Sequence, residues 1–200
     1  MEQSNQLLTE LRNNLDKSPI YYLLLLGLVT GLRFGELVGL QRDDFDFQSN
    51  TLRVNKTWGY TKKMHKGHGP IKNEENRIIT VDQNTMQLFY KWFNTLPENI
   101  ERLVFYSPIS KYKVFSNGSA NKVLKALLDN LAIKPQISVH GLRHTHASVL
   151  LYQDVSIYYV SKRLGHKDVN TTIGVYTHLV KELEARNTQV TNEIFERMYV

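Results

Sequence analysis

The sequence predicts an α+β protein that is mostly helical and contains a small antiparallel sheet. Three observations lead to this prediction. Apolar residues recur at helical spacing over most of the 200 residues. β-branched and aromatic residues instead concentrate in two short stretches between residues 50 and 81. No internal repeat or low-complexity run interrupts this pattern, and helices that enclose a small sheet are typical of the α+β class.

Two helices are predicted at the start of the chain. Four leucines between residues 7 and 15 follow helical spacing and indicate the first helix. Ser18 then supplies an N-cap and Pro19 a first-turn proline for a second, apolar helix that ends near Gly31. Arg33 is therefore expected just beyond a buried helix.

Strand patterns follow the second helix. The stretch Thr51 to Trp58 predicts one strand, and Arg77 to Val81 predicts another. Between them, Tyr60 to Pro70 is rich in Lys, His and Gly, as flexible loops are. We expect a basic, hairpin-like excursion there.

The remaining sequence is predicted to be helical. A final amphipathic stretch is expected to form a C-terminal helix at about residues 179–198. The patterns that precede it run from Asn84 to Asn94, Ser119 to Leu131, His140 to Leu151, Ser156 to Leu164 and Asn170 to Tyr176.

The composition narrows the classes of function. Lys and Arg number 25 against 19 Asp and Glu, a net charge of +6 that favours a polyanionic partner. The absence of cysteine excludes disulfides, a thiolate nucleophile and cysteine-containing zinc sites. The most apolar stretch, residues 20–29, is shorter than the ~20 residues that span a bilayer. The N-terminus does not resemble a secretory signal, so we expect a cytoplasmic protein without membrane association.

His140 and Arg143 are the first candidates for chemistry. They lie one turn apart on the same face of a predicted helix and can point at one target. A phosphate would suit them, because arginine offers a planar fork of donors and histidine exchanges protons near neutral pH. Taken alone, such a pair more often belongs to a helix face with solvated charges.

Two further candidates follow towards the C-terminus. His166 comes after Leu164 and Gly165, where a glycine at a helix end lets the chain turn and present the next side chain. Tyr176 comes ten positions later. In isolation, such a histidine is more often a surface residue, and a tyrosine at helical spacing usually belongs to the core.

The last candidates precede these in the chain. Arg33 lies in a local turn that can expose its guanidinium, and Glu36 can orient it by pairing from the next helical turn. Lys72 lies just before the second predicted strand and can reach a ligand from a turn. The alternatives are a helix-capping arginine and an ordinary exposed lysine.

The ordered set is more specific than any of its members. Arg33 after a helix, Lys72 at a strand turn, His140-x-x-Arg143, Leu-Gly-His166 and Tyr176 together resemble the tyrosine recombinases, or phage integrases. The resemblance extends from about Leu7 to Leu179 and includes Thr-Gly-Leu-Arg-x-Gly-Glu-Leu and His-x-Leu-Arg-His-Thr-His-Ala. It implies the fold of a tyrosine recombinase catalytic domain and site-specific DNA recombination, with integration or excision of a phage or mobile element favoured.

The resemblance also implies a role for each residue. Tyr176 would attack the scissile phosphate to form a 3′-phosphotyrosyl bond, and His140 would assist its proton transfer. Lys72 would protonate the departing 5′ oxygen, and Glu36 would be a supporting residue. The non-bridging oxygens would be held by Arg33, Arg143 and His166.

No cofactor or metal is expected. Fixed cations would replace the divalent metal of other phosphoryl-transfer enzymes, and the sequence shows no acidic cluster suited to magnesium. His140, His144 and His146 raise the alternative of a zinc site, but the metalloprotease glutamate and a suitable third ligand are missing. We expect structural hydrogen bonds from His144 and His146.

Double-stranded DNA is the expected partner. A stripe of cations around the predicted strands would contact its phosphates, although a solvated hairpin is the alternative. Apart from Lys72, the proposed DNA-binding residues of this stripe are Arg53, Lys56, Lys62, Lys63, Lys66 and Arg77.

The expected organisation is a single catalytic domain over residues 1–200. Family members place a DNA-clamping domain before the catalytic one and assemble as tetramers on DNA; we expect this chain to lack the clamp and to be a monomer alone. The C-terminal helix could pack on its own domain or on a neighbouring protomer. Rival interpretations are a type IB topoisomerase or telomere-resolving enzyme, and an inactive DNA-binding module.

Overall fold

The computed structural model describes residues 2–71 and 76–198, and of residues 178 and 181–186 it describes the backbone alone. The fold is α+β and mostly helical, as predicted. Its strands are β1 (Phe45–Asp46), β2 (Thr51–Val54), β3 (Thr57–Trp58), β4 (His68–Gly69) and β5 (Arg77–Thr80). Its helices are α1 (Glu2–Asn13), α2 (Pro19–Thr30), α3 (Phe34–Val38), α4 (Gln83–Phe93), α5 (Asn117–Asn130), α6 (Val139–Tyr152), α7 (Ile157–Leu164), α8 (Val169–Val175) and α9 (Thr177–Met198), with a 3-10 helix at Arg42–Asp44.

The caps predicted for α2 are present. The Ser18 hydroxyl accepts a hydrogen bond from the backbone N–H of Ile20, and Pro19 occupies the first turn. At the other end, Gly31 adopts a left-handed conformation with φ 69°, which a side chain would disfavour. The end of α2 is thereby fixed two residues before Arg33.

Helix α3 was predicted only as the helical turn that carries Glu36, and its bounds were not predicted from the sequence. Its five residues are too few to show a hydrophobic period, and all of them are buried. Gly39 ends the helix against β3, where an added Cβ would lie 2.9 Å from the backbone of both Thr57 and Trp58. The lack of a side chain at Gly39 allows α3 to pack this closely against the strand.

The prediction of one strand from Thr51 to Trp58 was wrong. β2 pairs with β1 and β5 in an antiparallel sheet of order β1-β2-β5, with Leu52 opposite Ile79. β3 instead pairs with β4 in a separate two-stranded sheet. The hairpin-like excursion predicted between the two strands is confirmed by this second pair.

The chain divides into two compact units, Met1–His146 and Ala147–Val200, and the division falls within α6. The core of the first unit includes the fully buried leucines of α2 and an aromatic cluster around Phe89. The second unit has a much smaller core, which is formed by Ala147, Leu151, Val160, Leu164 and Tyr176.

Within residues 2–71 and 76–198, none of the helices combines the length and the hydropathy that crossing a bilayer requires.

Candidate active site

Arg33 is fixed at the N-terminus of α3 by Glu36. The Arg33 backbone N–H donates to Glu36 Oε2 at 2.8 Å, and Arg33 Nη1 donates to Oε1 at 3.0 Å. The expected pairing of these two residues is therefore present. Because Glu36 binds both the backbone and the side chain of Arg33, it restricts the direction in which the guanidinium can point.

Arg77 holds the same carboxylate from the first position of β5. Its Nη1 donates to Glu36 Oε1 at 3.1 Å and its Nη2 donates to Oε2 at 2.8 Å, a two-point pairing across 41 residues of sequence. Burial alone would raise the pKa of Glu36, but the hydrogen bonds and charge of Arg77, together with Arg33, hold that pKa below its ordinary value. Glu36 is therefore a buried carboxylate anion shared by two arginines.

Arg143 is anchored to the end of α2. Its Nη1 donates to the Gly31 carbonyl at 2.7 Å, and the residue is buried. Carbonyl groups at a helix C-terminus attract cations, so this end of α2 suits a guanidinium. Since Gly31 lies two residues before Arg33, both arginines are tied to the short connection between α2 and α3.

His140 lies within the electrostatic influence of both arginines. Although the residue is exposed, partial desolvation of its ring, and then the charges of His144, Arg143 and Arg33, hold the pKa of His140 below its ordinary value, which favours the neutral ring at neutral pH. The rings of His140 and His144 meet edge to face, with centroids 4.9 Å apart. Arg143 and Arg33 thus lie close enough to act electrostatically on His140.

His146 has the structural role expected from the sequence, because its Nδ1 lies 3.0 Å from the Leu28 carbonyl oxygen. Within the described ranges, 2–71 and 76–198, no group of three or more His, Cys, Asp or Glu residues is arranged to hold a metal ion.

In the second unit, His166 follows the glycine that ends α7. Gly165 is left-handed with φ 69°, and the His166 backbone N–H donates back to the Ser161 carbonyl. The predicted helix end before His166 is therefore confirmed. His166 Nδ1 lies 2.7 Å from the hydroxyl of Thr172, a fully buried residue of α8.

Thr172 also contacts the end of α8 that carries Tyr176. The Tyr176 backbone N–H donates to the Thr172 carbonyl at 3.0 Å, and Tyr176 itself packs in the small core of this unit. One threonine therefore binds His166 through its side chain and Tyr176 through its backbone. The sequence analysis did not single out Thr172, since a hydroxyl in a helix carries no signal of a contact made six residues away.

The predicted DNA-binding cations do not form one group. Lys62, Lys63 and Lys66 are exposed in the hairpin loop. In contrast, Lys56 Nζ lies 2.6 Å from the buried carboxylate of Asp44, and Arg53 also pairs with Asp44. Arg77 is buried against Glu36. Lys72 lies outside the described residues.

Comparisons with known proteins agree with these features. The model of the phage integrase family matches residues 1–182. The chain is 29% identical to the integrase of a Staphylococcus phage over 78% of this chain and 47% of that protein. It is 26% identical to a XerC-like tyrosine recombinase of Caldanaerobacter subterraneus over 96% of this chain and 54% of that protein. The chain thus spans about half the length of these curated relatives.

The fold is shared with a solved structure of the Tn1549 transposon integrase in complex with a circular intermediate DNA. That similarity has a TM-score of 0.72 and 18% sequence identity, and it covers 88% of this chain and 60% of the other. Because the family model matches nearly all of the sequence, this chain belongs to the phage integrase family of tyrosine recombinases.

Proposed function

We propose that this chain carries the catalytic part of a site-specific recombinase that cuts and rejoins double-stranded DNA. The Tyr176 oxygen attacks the scissile phosphorus, the bond to the 5′ oxygen breaks, and a 3′-phosphotyrosyl linkage remains. A 5′ hydroxyl then attacks this linkage, which restores a phosphodiester and releases the tyrosine. Membership of the phage integrase family supports this chemistry.

The observation that carries the proposal is the cationic group around α3 and α6. Arg33 and Arg143 are both tied to the end of α2, and both act on His140. Fixed guanidinium groups stabilise the negative charge that builds on non-bridging oxygens in the transition state, and they need no reorganisation to do so. We assign Arg33 and Arg143 to those oxygens.

His166 is assigned to the same task in the second unit. If the Thr172 hydroxyl donates to His166 Nδ1, the proton of the neutral ring resides on Nε2, which can then donate to a phosphate oxygen. If the ring is cationic, both nitrogens donate and the hydroxyl accepts. In these two states Nε2 is a donor, whereas a neutral ring whose Nδ1–H donates to the hydroxyl has Nε2 as an acceptor; we assign one of the two donor states to cleavage.

Proton transfers are assigned to two residues. A neutral His140 can accept the proton that Tyr176 releases, and its lowered pKa keeps it neutral at physiological pH. Lys72, named from the sequence alone, is assigned to protonate the departing 5′ oxygen. The arginines supply the positive charge at the phosphate, so we expect cleavage to proceed without a divalent metal.

The exposed lysines of the hairpin loop, Lys62, Lys63 and Lys66, are proposed to contact DNA phosphates. Such contacts bind DNA with little sequence preference. For the whole protein we propose integration or excision of a phage or mobile element by a tetramer on DNA, with a separate clamping domain. The name of the Staphylococcus phage relative, an integrase, supports the integration part of this proposal.

A nicked duplex tests the proposal, because loss of a short fragment after cleavage traps the covalent complex. We expect the wild-type chain to form an adduct, with or without excess chelator, and Tyr176→Phe to form none. Tyr158→Phe, which removes the same hydroxyl from a tyrosine that is 70% exposed, is the matched control and should behave like the wild type. An adduct that persists in Tyr176→Phe would exclude Tyr176 as the nucleophile.

A further inference from the structure

The pairing of Arg77 with Glu36 is not explained by contact with DNA. Arg77 is 9% exposed, and its guanidinium makes two hydrogen bonds to one buried carboxylate. Both terminal nitrogens of the Arg77 guanidinium, Nη1 and Nη2, are thereby directed at Glu36. Arg102 offers a contrast, because its equally two-pronged pairing with Asp43 has both side chains more than half exposed.

We propose that Arg77 is a positioning residue that acts through Glu36 on Arg33. This inference rests on the proposed function, in which Arg33 holds a phosphate oxygen. It replaces the DNA-contacting role that the sequence suggested for Arg77.

The geometry explains how the effect is transmitted. Two parallel hydrogen bonds from Arg77 fix the plane of the Glu36 carboxylate. Each carboxylate oxygen then has a remaining lone pair, and Arg33 uses one on each oxygen, through its backbone N–H and through Nη1. The direction of the Arg33 guanidinium is thus set by a carboxylate that β5 holds in place.

Charge balance gives the second reason. Glu36 has no exposed side-chain surface, so its charge is stable only while its cations remain. Without Arg77, the carboxylate would turn towards Arg33 as its main cation or take up a proton. Either change alters the bonds that hold Arg33. In contrast, loss of Arg102 would leave the exposed carboxylate of Asp43 solvated by water.

The first test measures coupling and does not depend on activity. Urea unfolding is compared for Arg33→Met, Arg77→Met and the double variant, in the wild-type background and with Glu36→Gln. Without coupling, the folding equilibrium constant of the double variant would fall by the product of the two single-variant factors. We expect it to be at least about tenfold lower than that, because Glu36 would then have lost both arginines. With Glu36→Gln, the two losses should add. Additive losses in both backgrounds would overturn the inference.

The second test measures the reaction. Adduct formation is followed on nicked DNA with a scissile phosphate, and on DNA in which a methyl group replaces one non-bridging oxygen, as both stereoisomers. We expect Arg77→Met to lower the rate about 100-fold on phosphate. On the better methylphosphonate isomer the loss should be under about tenfold, because less charge needs to be stabilised there. Arg77→Lys should recover part of the rate.

Arg102→Met is the matched control and should change neither rate. Equal losses of Arg77→Met on both substrates would mean a purely structural role and would overturn the inference. Wild-type protein that forms no adduct would overturn the proposed function instead, while the unfolding experiment would still decide whether Glu36 couples the two arginines.

Discussion

Two buried side chains orient candidate phosphate-binding residues, one in each unit, and they do so by different physical means. In the first unit, the carboxylate of Glu36 holds Arg33 and is itself held by Arg77. In the second unit, the hydroxyl of Thr172 holds His166, and no ionised group takes part in that hydrogen bond if the histidine is neutral. The interaction of Glu36 with its arginines depends on charge balance, and the contact between Thr172 and His166 is a hydrogen bond.

This difference determines how much stability the protein should lose when Glu36 or Thr172 is substituted. Removing one member of a buried ion pair leaves an uncompensated charge, which is among the more severe losses that a substitution can cause. Removing a hydroxyl from a buried hydrogen bond leaves only one unsatisfied polar atom. The first unit has an extensive core, whereas the second unit has only a small one.

The largest effect is expected for Glu36→Ala. It leaves Arg77, whose side chain is 7% exposed, without its carboxylate, and it also frees Arg33. We expect a loss of ~3–5 kcal/mol in the free energy of unfolding, measured by urea denaturation. Because the pKa of Glu36 is lowered in the folded protein, its contribution is present above the unfolded pKa and is lost as pH falls through the folded one.

Asp43→Ala is the control for this experiment. It removes a carboxylate from an arginine pair of similar geometry, but both partners are exposed, so the loss should be under about 1 kcal/mol. Equal losses in the two variants would show that burial of Glu36 does not matter, and the contrast between Glu36 and Thr172 would then disappear.

This contrast also shows what the sequence could and could not predict about the site. Arg33 and Glu36 are three residues apart, so their pairing follows from helix geometry and was expected. Arg77 lies 41 residues from Glu36, and nothing in the local pattern distinguishes a buried cation from an exposed one at the start of a strand. Its charge therefore led to a DNA-binding assignment that its two-point pairing with Glu36 does not favour.

A smaller effect is expected for Thr172→Val, which keeps the branched shape and removes the hydroxyl. His166 Nδ1 loses its contact with Thr172, which removes one constraint on the orientation of the ring. We expect a loss of about 1–2 kcal/mol in the free energy of unfolding and about tenfold in the rate of adduct formation. Thr172→Ser should retain most of that rate.

The same substitution at the exposed neighbour, Thr171→Val, should leave both quantities unchanged. If Thr172→Val reacted as fast as the wild type, the hydroxyl would have no part in orienting His166, and Glu36 would be the only one of the two side chains that affects cleavage.

At the level of the fold, local signals were sufficient where caps and periodicity coincide. Ser18, Pro19 and Gly31 bounded α2 correctly, and Gly165 marked the end of α7. Local signals failed where an element is short or where the chain changes partners. Helix α3 has five residues, and β2 and β3 are separated by two residues, yet they belong to different sheets. Only long-range pairing decides such cases.

The smallest effect is expected for a substitution that changes the pKa of His140 in the first unit. After desolvation, His144 is the next cause of the lowered pKa of His140, followed by Arg143 and Arg33. His144→Gln should therefore raise the pKa of His140 towards 6.5, its ordinary value. If neutral His140 accepts a proton during cleavage, the rate falls as pH drops through that pKa, so the acid limb of the pH–rate profile should move to higher pH. The rate on the alkaline plateau should stay the same.

Thr172→Val should lower the whole profile without moving this limb, because the hydroxyl carries no charge. If the acid limb moves in Thr172→Val but not in His144→Gln, the limb belongs to His166 and not to His140. The Thr172 hydroxyl, and not the charges around His140, would then control the pH dependence.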